Sequence, residues 1–332
     1  MMKWSNHHSK NRADLRVTPI RMSKDAESKD VEGQGERYTY NYKVNKMNLQ
    51  DKIINALYAQ AVADSVGNPF EFKTNINPDD VVAYANSAKT LVISDDTQMA
   101  IAGFDAIRQL EMYDGDIVDQ ITHSFTESYL DWYYTQTHAP MTHLAFKSGI
   151  LQFKSLYSVQ SPGNTCMFAL KTLQSNSPVR NDSKGCGSVM RLLPLLSLRN
   201  RFSHDDCVKF AQISGAITHK HKDNDLAIEY YMTVAEAVGH GLAFESEYIA
   251  KHISYIGEGW TALEAVEMAI WAYCTAKDFD DLLRLSIAHD GDSDSVAAIA
   301  GSLWGLSGKE VPRKYIEKLD ALDALVYICA NI

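Results

Sequence analysis

The chain has 332 residues, 45% hydrophobic and 22% charged. This is an ordinary globular composition, long enough for one large domain or two average ones and for a sizeable core. A formal net charge of -10 and a pI of about 5.5, with no basic stripe, argue against nucleic-acid backbones as partners. They leave open the phosphates of a small ligand held by backbone N–H groups.

The cysteines, Cys166, Cys186, Cys207, Cys274 and Cys329, are odd in number and lack metal-type spacing. Met1 to Lys24 contains no apolar signal-like run, and no stretch is long enough to span a bilayer. The expected compartment is reducing, with the cytoplasm as default and no membrane partner.

Residues 1–46 are polar, mixed in charge, without helical periodicity and interrupted by Gly33 and Gly35. They read as a flexible N-terminal extension, either a disordered tail or tag remnant. Tyr38, Tyr40 and Tyr42 alternate within it, which suits an extended arm laid on a partner. Residues 47–332 read as the globular domain.

Ile53, Ile54, Leu57, Ala61 and Val62 recur at helical spacing, and Gly67-Asn68-Pro69 stops that helix. Glu71 follows between Phe70 and Phe72. It is either a salt-bridged surface acid or a carboxyl whose pKa an apolar setting raises. Ser94-Asp95-Asp96-Thr97-Gln98 then opens a helical pattern through Met99, Ala102, Ala106 and Leu110. Helix capping alone explains such residues. Two adjacent carboxylates at a helix start also point in different directions, so they can serve two cations, or a cation and a water.

Ile117, Ile121, Phe125 and Trp132 mark the buried face of the next helix. Residues 143–154 and 164–174 read as two more helices, with a turn at Ser161-Pro162-Gly163. Ser183-Lys184-Gly185-Cys186-Gly187-Ser188 is a small-residue loop ahead of an expected helix start. Such a loop lets backbone N–H groups approach an anion, and plain turn chemistry is the simpler account. Ser203 with Asp206 caps a helix reaching Ile213. His219 and His221 lack zinc-type partners, so hydrogen bonding to a ligand or to the core is expected of them.

Residues 227–244 and 261–277 read as long helices, the second opened by a Thr261–Glu264 capping box. Tyr230, Tyr231 and Trp271 are read as core aromatics. A further helix covers residues 281–288, and Pro312 starts a last one through Ile316, Leu319 and Leu322. Few strand-like alternations occur, so the class is all-α.

Asp290-Gly291-Asp292-Ser293-Asp294-Ser295 fails as a calcium loop of the EF-hand type. Its sixth position is Ser295 and its twelfth is Gly301, where Gly and Glu are required. Asp292 and Asp294 can face one side of a short turn, with Ser295 adding a hydroxyl. Joined to Ser94, Asp95 and Asp96, they form an oxygen-only set of high negative charge, suited to Mg²⁺, Mn²⁺ or Ca²⁺. Nearby negative charge also stabilises the oxocarbenium-like state of hydrolysis at an anomeric carbon. The small residues Val296 to Gly301 allow close helix approach.

Five stretches, in order, are similar to motifs of the ADP-ribosylglycohydrolases. Ala63-Asp64-Ser65-Val66-Gly67-Asn68-Pro69-Phe70-Glu71 resembles the family's G-D-x-x-G-x-x-x-E, with Ala63 where Gly is usual. Ser94-Asp95-Asp96-Thr97-Gln98-Met99 resembles [ST]-D-D-T. Gly185-Cys186-Gly187-Ser188-Val189-Met190-Arg191 resembles G-x-G-x-x-M-R. Thr218-His219 resembles T-H, and Gly291-Asp292-Ser293-Asp294-Ser295 resembles G-D-[ST]-D-[ST].

The resemblance implies an all-α orthogonal helical bundle with a dinuclear site for two Mg²⁺ (or Mn²⁺) ions. Its metal ligands would be Ser94, Asp95, Asp96, Asp292, Asp294 and Ser295. Glu71, with Asp95, Asp96 and Asp294, would serve catalysis. Gly185, Gly187 and Ser188 would hold the pyrophosphate, and His219 would line the groove. The implied activity is release of ADP-ribose from modified proteins. The Ser-Asp-Ser form of the last motif points to the ADP-ribosylarginine branch. Some members are immunity proteins against ADP-ribosylating toxins, which gives the arm an alternative role: blocking a toxin's active site without catalysis.

Overall fold

A computed structural model describes residues 47–138, 149–242, 246, 248 and 250–332. The N-terminal extension with its three tyrosines lies outside the described residues. The helices are α1 (Leu49–Gly67), α2 (Pro78–Ser87), α3 (Asp95–Gln109), α4 (Ile117–Thr137), α5 (Asn164–Gln174) and α6 (His204–Ala216). They continue as α7 (Lys222–Gly239), α8 (Ala262–Thr275), α9 (Phe279–Ile287), α10 (Ser293–Leu306), α11 (Arg313–Ile316) and α12 (Leu322–Cys329). Among the described residues no strand forms. Only isolated bridges pair Leu91 with Leu319 and Gly185 with Thr261, so the protein is all-α.

The centre is set by α1 and α10. Every residue of α10 is buried, as is α1 from Ala59 to Gly67. A helix apolar on all sides has to be enclosed by others, and small residues allow this one to be enclosed tightly. A Cβ added at Gly305 would lie 2.3 Å from Ala56 Cα, and one at Gly301 would lie 2.5 Å from the Ala59 carbonyl oxygen. The two helices therefore touch through their main chains. The Asn55 amide seals the far end by donating to the carbonyls of Gly305 (3.0 Å) and Lys309 (2.9 Å). Gly305→Ala is expected to cost about 3 kcal/mol, because overpacking against backbone has no flexible side chain to yield. Chemical denaturation measures this, and an unchanged midpoint would show that α1 does not rest there.

Local capping fixes where the helices begin. Ser94, Asp116, Asp278 and Asp292 each accept a backbone N–H at a helix start, each cap contributing about 1 kcal/mol. Ser203 and Asp206 form the expected reciprocal box. Thr261 supplies only its own half, accepting from the Glu264 N–H.

Several expected elements differ. The stretch read as a helix over residues 143–154 has residues 143–148 outside the described residues. The remainder forms two 3-10 turns, Gly149–Gln152 and Lys154–Tyr157, parted by extended Phe153. Gly149 has φ +86°, which an α-helix cannot contain. The helix expected over 227–244 starts earlier, at Lys222, because the His221 ring caps it by accepting from Asp223 N–H. It ends at Gly239, and residues 243 and 244 lie outside the described residues. The last helix is two, α11 and α12, with Glu317 to Ala321 between them. α2, which Asn77 caps and Pro78 opens, escaped the periodicity reading.

Candidate active site

Three helix ends and one short turn meet at the buried acids. Asp64, near the C-terminal end of α1, accepts from the N–H groups of Ser94 (3.1 Å) and Thr97 (3.2 Å), fixing the start of α3. There Ser94 Oγ accepts from Asp96 N–H, while Asp95 Oδ2 accepts from Gly163 N–H at 3.0 Å. At the start of α10, Asp292 Oδ1 accepts from Ser295 N–H, and the Asp292 N–H donates to the Glu258 carbonyl at 2.8 Å. Gly291 permits this approach: its φ is +130°, and a Cβ there would sit 2.0 Å from the Glu258 oxygen. Glu71 enters from the 3-10 turn Asn68–Phe70 that ends α1.

Ligand oxygens of Glu71, Asp292 and Asp294 all lie within 4.8 Å of one another. Asp64, Asp95 and Asp96 are buried beside them, near enough to feel the Asp294 charge. Burial first, and then the Asp294 charge, raises Asp64 to about 7 and Glu71 to about 8. The same two causes hold Asp96 and Asp292 well above the usual carboxylate range. Asp95 is held high mainly by burial, with the Gly163 N–H opposing.

Asp96 Oδ2 and Glu71 Oε2 are buried without a hydrogen-bond partner. Like charges crowded together, orphaned oxygens and an oxygen-only donor set are what a hard divalent cation satisfies. Of the six expected ligands, Asp292 and Asp294 lie in this cluster, joined by Glu71, which was expected to serve catalysis rather than to hold metal. Asp95 and Asp96 are buried close enough for their charges to be felt there, and this oxygen-only set fits a hard divalent cation.

A measurable consequence concerns stability. Carboxyls whose folded pKa is raised contribute stability below their unfolded pKa, near 4, and lose it as pH rises through about 7 and 8. With chelator present, the melting temperature is expected to fall over that window. Mg²⁺ or Mn²⁺ at a hundredfold excess over Kd should restore about 2.7 kcal/mol. At one fixed ion concentration the gain should be larger at pH 8 than at pH 5, because ligands must deprotonate to bind and Kd rises as they protonate. A cation effect independent of pH would contradict this assignment.

The glycine loop has a different floor from the one expected. Cys186–Ser188 is a 3-10 turn, and no α-helix starts after it: residues 193–200 are again 3-10. The helix dipole expected behind the loop is therefore missing. Gly185 and Gly187 lie against the His219 ring, where an added Cβ would be 3.2 Å from Nε2 and 2.9 Å from Cε1 respectively. Ser188 is buried and donates its hydroxyl to Asn224 Oδ1 at 2.8 Å. His219 is buried beneath the loop, with Nδ1 bonded to Thr218 Oγ1 at 2.9 Å. Burial, and then the Arg191 charge, lowers its pKa to about 3, so the ring is neutral. His221 is occupied in capping α7.

Three residues here carry roles that the sequence reading did not give them. Asp64 anchors α3. The Cys186 thiol donates to Asp292 Oδ2 at 2.8 Å, and burial first and Asp292 second push its pKa well up. Arg191 is fully buried, with its guanidinium 4.3 Å over the Tyr129 ring and a 2.7 Å bond to Thr218 Oγ1. Asp64 and Arg191 stood inside the recognised motifs, which was the only signal available for them. Cys186 had none beyond its place between two glycines.

The sequence profile of the ADP-ribosylglycohydrolases matches residues 45–256 and 246–331. The chain belongs to that family.

Among similar proteins is an uncharacterised protein of Archaeoglobus fulgidus, 26% identical over 165 residues, which are 41% of this chain and 54% of that one. Another is the uncharacterised YegU of Escherichia coli, 25% identical over 216 residues, 59% and 55% of the two chains. The chain spans about half the length of these two relatives. A shorter match, 34% identical over 77 residues, joins 22% of this chain to 20% of the ADP-ribosylarginine hydrolase Tri1 of Pseudomonas putida. A solved structure described as an ADP-ribosylglycohydrolase-related protein complex shares the fold. Its TM-score is 0.57 at 19% identity, covering 86% of this chain and 97% of that one. No helix of the described residues is long and apolar enough to cross a membrane.

Proposed function

We propose that the protein is a metal-dependent hydrolase that releases ADP-ribose from modified arginine side chains of proteins. The observation that carries this reading is the convergence of Glu71, Asp292 and Asp294 within 4.8 Å, with orphaned oxygens on Glu71 and Asp96. Family membership supports the ADP-ribose linkage. The Tri1 match and the Ser293-Asp294-Ser295 sequence support arginine.

Ser94, Asp95, Asp96, Asp292, Asp294 and Ser295 would hold two divalent cations, Mg²⁺ or Mn²⁺. The chemistry such ions supply at a carboxylate cluster is easier deprotonation of water and a fixed orientation for sugar hydroxyls. The residues supply the rest. Carboxylates around the anomeric carbon favour the oxocarbenium character that develops as its bond to nitrogen breaks. We assign to Glu71, which has an oxygen lacking any partner, the movement of a proton between water and the departing nitrogen. The pyrophosphate is assigned to the loop of Gly185, Gly187 and Ser188. Since the Ser188 hydroxyl and the His219 ring are held inside the protein, contact there falls to the loop backbone. The alternative, a toxin-blocking protein acting through residues 1–46, rests wholly on residues outside those described.

The test is release of free ADP-ribose from arginine-ADP-ribosylated protein, with Mg²⁺ or with chelator. Release is expected only with the ion. Glu71→Gln is expected to slow release about a hundredfold or more, as removal of a proton-transfer group does. Equal release with chelator would overturn the metal assignment, and no release from arginine adducts would overturn the substrate.

A further inference from the structure

Next to the acids stands a pair of aromatic side chains that packing does not explain. Phe72 is 71% exposed and Trp260 36% exposed. Their rings stack with centroids 5.3 Å apart and planes 20° apart. Phe72 has φ +62°, a conformation that is a genuine outlier for a bulky residue and that clusters at functional sites.

The pair is tied to the site on both sides. Phe72 follows Glu71 directly, one Cα step of about 3.8 Å away, and its N–H donates to the Gly291 carbonyl. The Trp260 carbonyl accepts from Cys186 N–H in the glycine loop. A carboxylate completes the group: Glu258 Oε2 accepts from the Trp260 indole N–H at 3.1 Å. Lys73, the next residue along, turns onto Phe70 instead, 5.1 Å from that ring's centre. Among the described residues, the cation–ring contacts fall on other aromatics, and no lysine or arginine covers Phe72 or Trp260.

We propose that Phe72, Trp260 and Glu258 form a binding site for a guanidinium group, the arginine side of the substrate, at the mouth of the acidic site. This rests on the arginine reading above and deepens it. A planar guanidinium stacks on an aromatic face while donating in its own plane to a carboxylate. A neutral nucleobase would stack equally well on the rings and can give Glu258 an amino hydrogen bond, but a guanidinium adds a full positive charge to its donors, so charge favours the cation. The platform flanks Glu71, to which the proposed function assigns the proton for the departing nitrogen, and that nitrogen belongs to the guanidinium itself.

The experiment is isothermal titration of the full chain with agmatine, butylamine and ADP-ribose as separate ligands. Agmatine is expected to saturate the protein, and butylamine, which has charge but no plane, to bind at least about fivefold more weakly. Phe72→Leu, which keeps apolar bulk at an exposed position, and Glu258→Gln are each expected to weaken agmatine at least about fivefold. ADP-ribose affinity should stay within about twofold for both.

Agmatine binding indifferent to both substitutions would overturn the site. Loss of ADP-ribose affinity in step with agmatine would overturn it too, making the pair a base-stacking surface. Hydrolysis is scored separately. If agmatine binds as expected but arginine adducts are not cleaved, the functional reading fails and the platform stands. If adducts are cleaved but agmatine binding is insensitive to Phe72, the platform fails and the functional reading stands.

Discussion

Asp294→Asn is expected to lower ADP-ribose release about a thousandfold while making the cation-free protein more resistant to heat. The two effects have one origin. The Asp294 carboxylate is a cause of the raised pKa of Asp64, Glu71, Asp95, Asp96 and Asp292. The amide has nearly the same shape and no charge, so the neighbours lose a buried like charge that they otherwise repel. Folding without cation becomes easier.

The same removal takes away a ligand and the field that favours positive character on the sugar. Deleting one such electrostatic element costs about a hundred- to a thousandfold, and here two functions lapse together. Melting in chelator at pH 8 and release of ADP-ribose in Mg²⁺ measure the two halves. Turnover within tenfold of the parent protein would remove Asp294 from the chemistry. A lower melting point in chelator would show that the carboxylates do not repel one another in the fold. This is the ordinary opposition between a working site and a stable one.

Arg191→Ala is expected to cost about 3–5 kcal/mol of stability. The side chain is fully buried over the Tyr129 ring and donates to Thr218 Oγ1, to the Ser214 carbonyl at 3.3 Å and toward the sulfurs of Met99 and Cys166. Truncation leaves a cavity and strands those acceptors. It also reaches the loop, because Thr218 Oγ1 bonds to Arg191 and to His219, and His219 supports Gly185 and Gly187.

Arg191→Met separates the two roles. It fills most of the volume without the charge, so it should retain more stability than Ala, as apolar replacements of buried charges often do. Its loop should still lose ADP-ribose affinity. Chemical denaturation and ligand titration read these out, and an alanine variant within about 1 kcal/mol of the parent would show that the guanidinium is not structural.

The parts legible in the sequence were those written in local chemistry. Ser94, Asp292 and Ser203 announce helix starts because capping needs only neighbouring residues. The run from Val296 to Gly301 announces a buried helix because apolar character on all sides has a single resolution in water. The convergence of the acids became legible only through several motifs in order. Nothing in Asp95 states that Asp292 lies beside it.

What failed depends on geometry that side-chain periodicity does not record. Gly149 bends where an apolar rhythm continues, and α2 is short with only a narrow buried face. Asp64 hides in an Ala- and Val-rich stretch, where a lone acid looks like an exposed helical residue. Arg191 looks like a surface cation until the fold closes over it. The Cys186 thiol matters through a contact with Asp292, far along the chain.

The main-chain contact between α1 and α10 has a consequence for how such a protein tolerates change in length. With no side chains interposed, there is no cushion to absorb a slip. One residue added between Ala59 and Asp64 would swing Asp64 about 100° around its helix, off the amides that it holds. The central pair therefore behaves as a fixed gauge. Insertions are left to the connecting segments, which do not set the register of the central pair.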